Sequence, residues 1–172
     1  VNHWARLTLY REPLAEFYRV HFGLIPNLGL DALDFALAPL LSPQSVTRLA
    51  LALAIALPAL GAWAIHRALF DKPSPTIWVV PFLSYNVATT AGLLNFALGM
   101  GLALLGIAYA LSRPKLGWRE ALALNAIGSA LFFCHLIAWA AFAGLLGFVA
   151  LGETPWPPRT VARRAALAFA AQ

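Results

Sequence analysis

The chain has 172 residues, of which 61% are hydrophobic and only 11% are charged. Soluble domains average about 25% charged residues, so this composition excludes an ordinary water-soluble domain. The formal net charge is +5, but the basic residues lie in short clusters between apolar runs. That arrangement is typical of loops beside membrane spans, and it argues against a nucleic-acid-binding face or arm.

An uncharged stretch over residues 73–112 contains no Lys, Arg, Asp or Glu. About 20 apolar residues cover the hydrocarbon core of a bilayer, and a helix satisfies its backbone groups internally. The sequence therefore predicts an all-α, polytopic helical membrane protein with the lipid bilayer as its main partner.

Residues 1–45 have an amphipathic pattern. Apolar and aromatic residues recur at helical spacing after Pro13, opposite charged residues: Leu14, Phe17, Tyr18 and Phe22 against Glu12, Glu16 and Arg19. A second short helix is predicted over residues 30–41, before Ser42-Pro43. Helices of this kind lie on a membrane surface or pack across other helices, so we expect an amphipathic segment there and not a span.

Residues 46–172 are predicted to form a transmembrane bundle. The first span covers residues 46–70 and contains Pro58, which membrane helices tolerate. As a single helix, residues 76–111 would extend about 54 Å against a hydrocarbon core of about 30 Å. A break between Asn86 and Gly92 is therefore predicted, with a short or re-entrant limb over residues 77–90 and a span over residues 92–111.

The apolar run over residues 120–151 is predicted either as one tilted helix or as two helices broken near His135. A further span is predicted to start at residue 161. Both ends of the chain resemble cuts, so we expect a part of a larger protein. The small-residue pairs Ala97-x-x-x-Gly101 and Ala140-x-x-x-Gly144 predict close helix contacts within the chain or with a partner.

Charge retention on the cytoplasmic side suggests an orientation. If Lys72 and the loop with Arg113, Lys115 and Arg119 are cytoplasmic, residues 1–45 and the proline-rich connector over residues 153–158 are extracytoplasmic. The predicted location is the bacterial inner membrane, crossed several times. The basic cluster of Arg159, Arg163 and Arg164 fits this arrangement poorly.

Two carboxylates in the amphipathic segment are candidate catalytic groups. Asp31 and Asp34 are three residues apart and share a helix face, where they could act as a general base or hold a divalent cation. The alternative is that Asp31 caps the helix and Asp34 is solvated. His3 and His21 lie in the same segment, but their spacing specifies no metal site.

Polar residues within the spans are candidates for helix–helix contacts. An interhelical hydrogen bond by His135 is favoured over a proton relay, because its span contains no acidic residue. The single cysteine, Cys134, cannot form an intrachain disulfide and is predicted to be a small buried hydrophobe. The other intramembrane candidates are Asn86, Asn95, Asn125 and Ser129.

Four segments carry a family resemblance: Val1-Asn-His-Trp-Ala-Arg6, the predicted amphipathic helix over Tyr10–Phe22, Leu24-Ile-Pro-Asn-Leu-Gly-Leu-Asp31, and Phe82-Leu-Ser-Tyr-Asn86 through Gly92-Leu-Leu-Asn95. They resemble a group of uncharacterised bacterial multispanning proteins that is similar to the GT-C class of glycosyltransferases. The resemblance implies a sugar donor linked to polyprenyl phosphate and a catalytic acid in an extracytoplasmic loop.

In that class the acidic motif closely follows the first membrane helix, which here corresponds to a position at or before Asn2-His3. The resemblance thus implies a fragment of a transferase in which Asp31 or Asp34 acts as base or metal ligand. His3, Arg6 and His21 would then bind substrate. The alternative is a non-catalytic accessory subunit of a larger membrane complex. The sequence specifies no cofactor.

Overall fold

The computed structural model describes residues 26–70, 74–84, 87–113 and 116–152. All regular secondary structure in the described part of the chain is helical, with no strand, in agreement with the predicted all-α class. We number its α-helices in chain order: α1 Gly29–Leu37, α2 Pro43–Leu69, α3 Val80–Ser84, α4 Val87–Thr90, α5 Leu94–Leu111, α6 Trp118–Cys134 and α7 Leu136–Gly152. A 3-10 helix over Pro75–Val79 precedes α3.

Helix α2 has clear start and stop signals. The N-cap residue Ser42 is extended, and its side-chain oxygen accepts a hydrogen bond from the Ser45 backbone N–H at 3.3 Å. Pro43 follows at the first helical position, where its missing N–H costs nothing. The helix ends where Phe70 returns to extended backbone, so α2 covers the predicted span over residues 46–70 and accommodates Pro58.

Helix α5 is the centre of the bundle and packs most extensively against α2. A Cβ at Gly101 would contact Leu57 and Pro58, and a Cβ at Gly61 would contact Leu104. The first contact joins residues 57 and 101, and the second joins residues 61 and 104. Because both residue numbers increase from one contact to the next, α2 and α5 run in the same direction. Ala97 and Gly101 are both buried in this packing, so the first predicted small-residue pair is confirmed as a helix contact within the chain.

Between the end of α2 and the start of α5, the chain runs back along the bundle through short helices. The 3-10 helix and α3 pack on α2, and α4 packs on α2 and α5. Gly92 adopts a positive φ of 78° in the turn before α5, a conformation that glycine adopts without a Cβ clash. The predicted break before residue 92 corresponds to this turn at residues 91–93.

Helices α6 and α7 form a hairpin around His135, the one extended residue between them. A Cβ at Gly106 of α5 would meet Ile127 of α6 at 3.1 Å and Phe142 of α7 at 2.7 Å. Ala138, near the turn, is next to Gly99 at the other end of α5. Both arms therefore lie along α5, α6 antiparallel to it and α7 parallel to it. Of the two predictions for residues 120–151, the broken helix is confirmed.

The helices define two ends of the bundle. The α1 end contains α1, the starts of α2, α5 and α7, and the end of α6. The basic end contains the ends of α2, α5 and α7 and the start of α6, with Arg67, Arg113 and Arg119. Helix α7 ends at the basic end, and the proline-rich connector over residues 153–158 lies outside the described residues.

Among the described residues, two helices are long and apolar enough to cross a membrane, Gln44–Leu69 and Leu94–Leu111, and Leu136–Leu151 is a shorter apolar helix. The second short helix, predicted over residues 30–41, is present as α1, which ends before a turn at residues 38–40. The amphipathic helix predicted after Pro13 and the span predicted from residue 161 lie outside the described residues.

The glycine contacts predict opposite outcomes for two alanine substitutions. A Cβ at Gly101 would lie 2.7 Å from the backbone C of Leu57 and N of Pro58, so Gly101→Ala should push α2 and α5 apart and destabilise the protein by about 1–3 kcal/mol. At Gly144 a Cβ meets nothing within 4 Å. Gly144→Ala should therefore be neutral or stabilise the helix by up to about 1 kcal/mol.

The measurement is the thermal unfolding midpoint of each purified variant in the same detergent, with tryptophan fluorescence as the readout. Gly144→Ala is the matched control, since it makes the same chemical change in another apolar helix. A midpoint for Gly101→Ala equal to that of Gly144→Ala would contradict the α2–α5 packing described above.

Candidate functional site

A buried amide joins α1 to the bundle. The Asn95 side chain, in the first turn of α5, is only 6% exposed. Its Oδ1 accepts a hydrogen bond from the Leu30 backbone N–H at 2.6 Å. Its Nδ2 donates to the backbone O of Asn27 at 2.9 Å and to the Asn27 Oδ1 at 2.8 Å. Both amide protons and one carbonyl lone pair are thus used at once, as burial of such a group requires.

The local backbone is shaped for this contact. Asn27 has a φ of 78°, in the left-handed region that asparagine tolerates better than most residues. Close packing completes the junction, because a Cβ at Gly29 would lie 2.7 Å from the Cys134 Sγ. The Leu28 backbone N–H donates to the Phe133 backbone O at 2.6 Å. The start of α1 is therefore fixed to both α5 and α6.

Cys134 lies under this junction. Its side chain is 5% exposed, and its Sγ donates a hydrogen bond to the backbone O of Asn95 at 3.3 Å. Leu30, Ala54 and Leu98 belong to the same buried cluster. The prediction that Cys134 is a small buried side chain is confirmed.

The two candidate catalytic carboxylates lie on α1, close to the junction. Asp31 is in the first turn, where the helix dipole favours a negative charge. The N-cap position is Leu28 and makes no side-chain capping bond, so Asp31 is not the N-cap residue. Asp34 is only 4% exposed, because it lies one turn after the buried Leu30. The alternative reading of a solvated Asp34 is therefore wrong.

His135 is located at the turn of the α6–α7 hairpin. Its Nδ1 accepts a hydrogen bond from the Ile137 backbone N–H at 3.3 Å, which places the proton of the neutral ring on Nε2. The ring packs edge-on against Phe96 of α5, with centroids 5.3 Å apart. The hydrogen bond is local to the hairpin turn, and the contact with α5 is made by the ring.

A small polar pocket lies between these groups. It has a volume of about 140 Å³ and is lined by Asn27, Leu30, His135 and residues 92–96. A water molecule takes up about 30 Å³ in the liquid, so the pocket can hold a few waters. Ligand pockets for drug-sized molecules have volumes of about 300–1,000 Å³, well above this value. The described residues alone do not enclose a lipid-linked sugar.

The remaining predicted site residues are not brought to this junction. Asn125 is half-buried on α6, where its Oδ1 accepts a hydrogen bond from the Ser129 hydroxyl at 3.5 Å. His3, Arg6, His21 and Asn86 lie outside the described residues. Within the described ranges, no three His, Cys, Asp or Glu side chains are grouped in a way that could hold a metal ion.

Asn27 and Leu30 were missed by sequence reasoning. Asn95 was a candidate only as an intramembrane polar residue, and its partners are 65 and 68 positions away in the chain.

Comparison of the chain with protein-family models, with curated proteins and with solved structures finds no match. The function must therefore be argued from the geometry of this chain.

The junction predicts that Asn95→Leu releases α1. The substitution keeps the side-chain volume but leaves the Leu30 N–H and the Asn27 oxygens without their buried partner. Such losses cost about 1–3 kcal/mol, equivalent to a roughly 5- to 150-fold larger population with α1 undocked. Cys134 is the only cysteine of the chain, so its maleimide labelling rate in the purified protein should rise by a corresponding factor.

The matched control is Asn125→Leu, which removes a half-buried amide with only one long hydrogen bond. Its labelling rate should equal that of the wild type. Equal rates for Asn95→Leu and the wild type would show that the hydrogen bonds of Asn95 do not hold α1 in place.

Proposed function

We propose that this chain forms a multispanning helical unit of the bacterial cytoplasmic (inner) membrane. The observation that carries this proposal is the apolar outer surface of the bundle. Trp63 and Leu60 of α2 are each 52% exposed, and Leu122 of α6 and Phe148 of α7 are also exposed. Continuous apolar surface of this kind needs lipid or protein to cover it.

The helix lengths agree with a bilayer. At 1.5 Å per residue, the 18 residues of α5 extend about 27 Å, close to the hydrocarbon thickness of about 30 Å. The 17 residues of α6 and of α7 extend about 25 Å each. The turns at the two ends of the bundle would then lie near the two headgroup regions.

The distribution of charge supports one orientation. Among the described residues, the basic end has three arginines and one glutamate, whereas the α1 end has Arg48 against Asp31 and Asp34. Positive residues are retained on the cytoplasmic side, so the basic end is cytoplasmic and α1 is extracytoplasmic. Helix α7 also ends at the basic end, so in this orientation its last residues are cytoplasmic. The cluster of Arg159, Arg163 and Arg164 lies outside the described residues.

This placement predicts the labelling of single cysteines in intact cells. In a Cys134→Ser background, Gln44→Cys at the α1 end should react with a membrane-impermeant maleimide, and Leu116→Cys at the basic end should react only after permeabilisation. Both positions are exposed. The protein should also stay with the membrane after alkaline carbonate extraction. Release by carbonate, or labelling of both cysteines from outside, would contradict the proposal.

We further propose that the chain belongs to a transferase that uses a polyprenyl-phosphate-linked sugar, as its resemblance to the GT-C class implies. The supporting observation is that α1 is held in one position against the bundle. Asn95 and the packing at Gly29 hold this short acidic helix rigidly at the outer end of the bundle. Asp31 is thereby held at the level where the phosphate of a membrane-bound donor would lie, with the buried Asp34 one turn further along, and a preorganised carboxylate suits general base or metal chemistry.

The pocket of about 140 Å³ is too small for the donor, so the proposed substrate site includes surfaces beyond the described residues. In the transferase proposal His3, Arg6 and His21 contribute to binding the phosphate and sugar. The contribution of the described bundle is to position α1 and to anchor it in the membrane.

A non-catalytic accessory subunit is the second candidate, and the surface of α7 favours it. Gly144 and Gly147 would each accept a Cβ without any contact within 4 Å, and Ala140 is exposed beside them. Small residues on an apolar helix allow close approach of another helix. The second predicted small-residue pair is thus available to a partner subunit of a larger complex.

The two candidates differ in their response to loss of the carboxylates. Loss of a general base typically lowers the rate by about 10²- to 10⁴-fold. In the transferase, Asp31→Asn or Asp34→Asn in the full-length protein should therefore lower the glycolipid product at least a hundredfold, measured by mass spectrometry of membrane lipids from complemented deletion cells.

The matched control is Glu120→Gln, an isosteric change of a carboxylate at the opposite end of the bundle. It should leave the product unchanged. If both aspartate variants also leave the product unchanged, the transferase proposal is wrong, and the accessory subunit is the remaining candidate.

A further inference from the structure

Two arginines at the basic end are held against aromatic rings. The Arg113 guanidinium carbon lies 4.6 Å from the centre of the Tyr109 ring, and that of Arg119 lies 5.5 Å from the Trp118 ring. A guanidinium over an aromatic face is attracted by the negative ring face. This contact restricts the side chain but leaves its N–H donors available.

These groups lie at the edge of the proposed membrane region. Arg113 follows the last residues of α5 and Arg119 is in the first turn of α6, so antiparallel packing brings the two arginines to the same end. Trp118 is 69% exposed, and tryptophan prefers the headgroup level of a bilayer. Leu122, one turn further along the same face of α6, is 60% exposed and extends the apolar surface toward the membrane interior.

Among the described residues, neither arginine forms an ion pair with the neighbouring acid, Glu120. Glu120 is the only described carboxylate at the basic end, and its Oε2 accepts the Gly117 backbone N–H at 3.0 Å. That bond satisfies a backbone donor at the start of α6, as in a capping box. The carboxylate is therefore engaged with the helix start while both guanidinium groups are directed by the aromatic rings.

We propose that Arg113 and Arg119 form a binding site for the phosphate of an anionic phospholipid in the leaflet at the basic end. Guanidinium groups recognise phosphate oxygens through paired N–H donors. The exposed Trp118 and Leu122 offer an apolar surface to the acyl chains, which a free phosphate would not use. This inference rests on the proposed membrane placement and adds a specific lipid contact to it.

The test uses the full-length protein purified in a mild neutral detergent, with short-chain phosphatidylglycerol added in steps and thermal unfolding as the readout. Phosphatidylglycerol should raise the unfolding midpoint of the wild type, and phosphatidylcholine should not. Removing two arginines near a membrane surface should weaken the apparent affinity about tenfold or more. Arg113→Gln combined with Arg119→Gln should therefore need at least ten times more lipid for the same shift.

Arg48→Gln at the α1 end is the matched control and should respond like the wild type. The double variant loses two exposed cation–π contacts, so each lipid response is measured as the shift from that protein's own midpoint without lipid. Equal lipid responses of the double variant and the wild type would overturn the proposed site. An equal midpoint shift with inorganic phosphate at the same concentration would show an anion site without lipid preference, and would also overturn it.

The membrane placement is tested separately by carbonate extraction and cysteine labelling. A protein that passes those tests but shows equal lipid responses in wild type and double variant refutes only the lipid site. A protein that is released by carbonate refutes the membrane placement itself.

Discussion

The hydrogen bonds of one buried amide determine how the parts of this structure come together. An asparagine in an apolar helix is costly to bury unless its donors and acceptor all find partners. Asn95 meets this requirement by binding the backbone at the start of α1 and the side chain of Asn27. Together with the Leu28–Phe133 backbone hydrogen bond and the packing at Gly29, this requirement fixes the position of α1 and of its two aspartates. The same turn of α5 also receives the thiol of Cys134, so α6 is tied to the junction as well.

The second constraint is the close approach of the helices to α5. Gly61, Gly99, Gly101 and Gly106 each have a neighbouring side chain or backbone atom where a Cβ would be. In lipid the helices gain no hydrophobic free energy by associating, and tight van der Waals packing between small residues replaces it. Helix α5 can therefore contact α2 on one side and both arms of the α6–α7 hairpin on the other. The outer surfaces of those helices remain free for large apolar side chains.

The sequence predicted the helices better than their arrangement. Long apolar runs define α2 and α5, and the proline, asparagine and glycine residues between them indicate the interruption of the limb before Gly92. The direction of α7 could not be decided from the sequence, because a single residue, His135, determines whether residues 120–151 continue or reverse. The partners of Asn95 were also hidden. A hydrogen bond between positions 27 and 95 leaves no local pattern, and the burial of Asp34 depends on where α1 docks.

The direction of α7 changes the interpretation of the charges. With one long helix over residues 120–151, the proline-rich connector and the arginines after it would lie on the side of α1, against the retention of positive charge in the cytoplasm. With the hairpin, α7 ends at the same end of the bundle as Arg67, Arg113 and Arg119. The acidic pair on α1 is at the other side. One extended residue at position 135 thus makes the charges of the described residues consistent with the single orientation proposed above, with the basic end toward the anionic cytoplasmic leaflet.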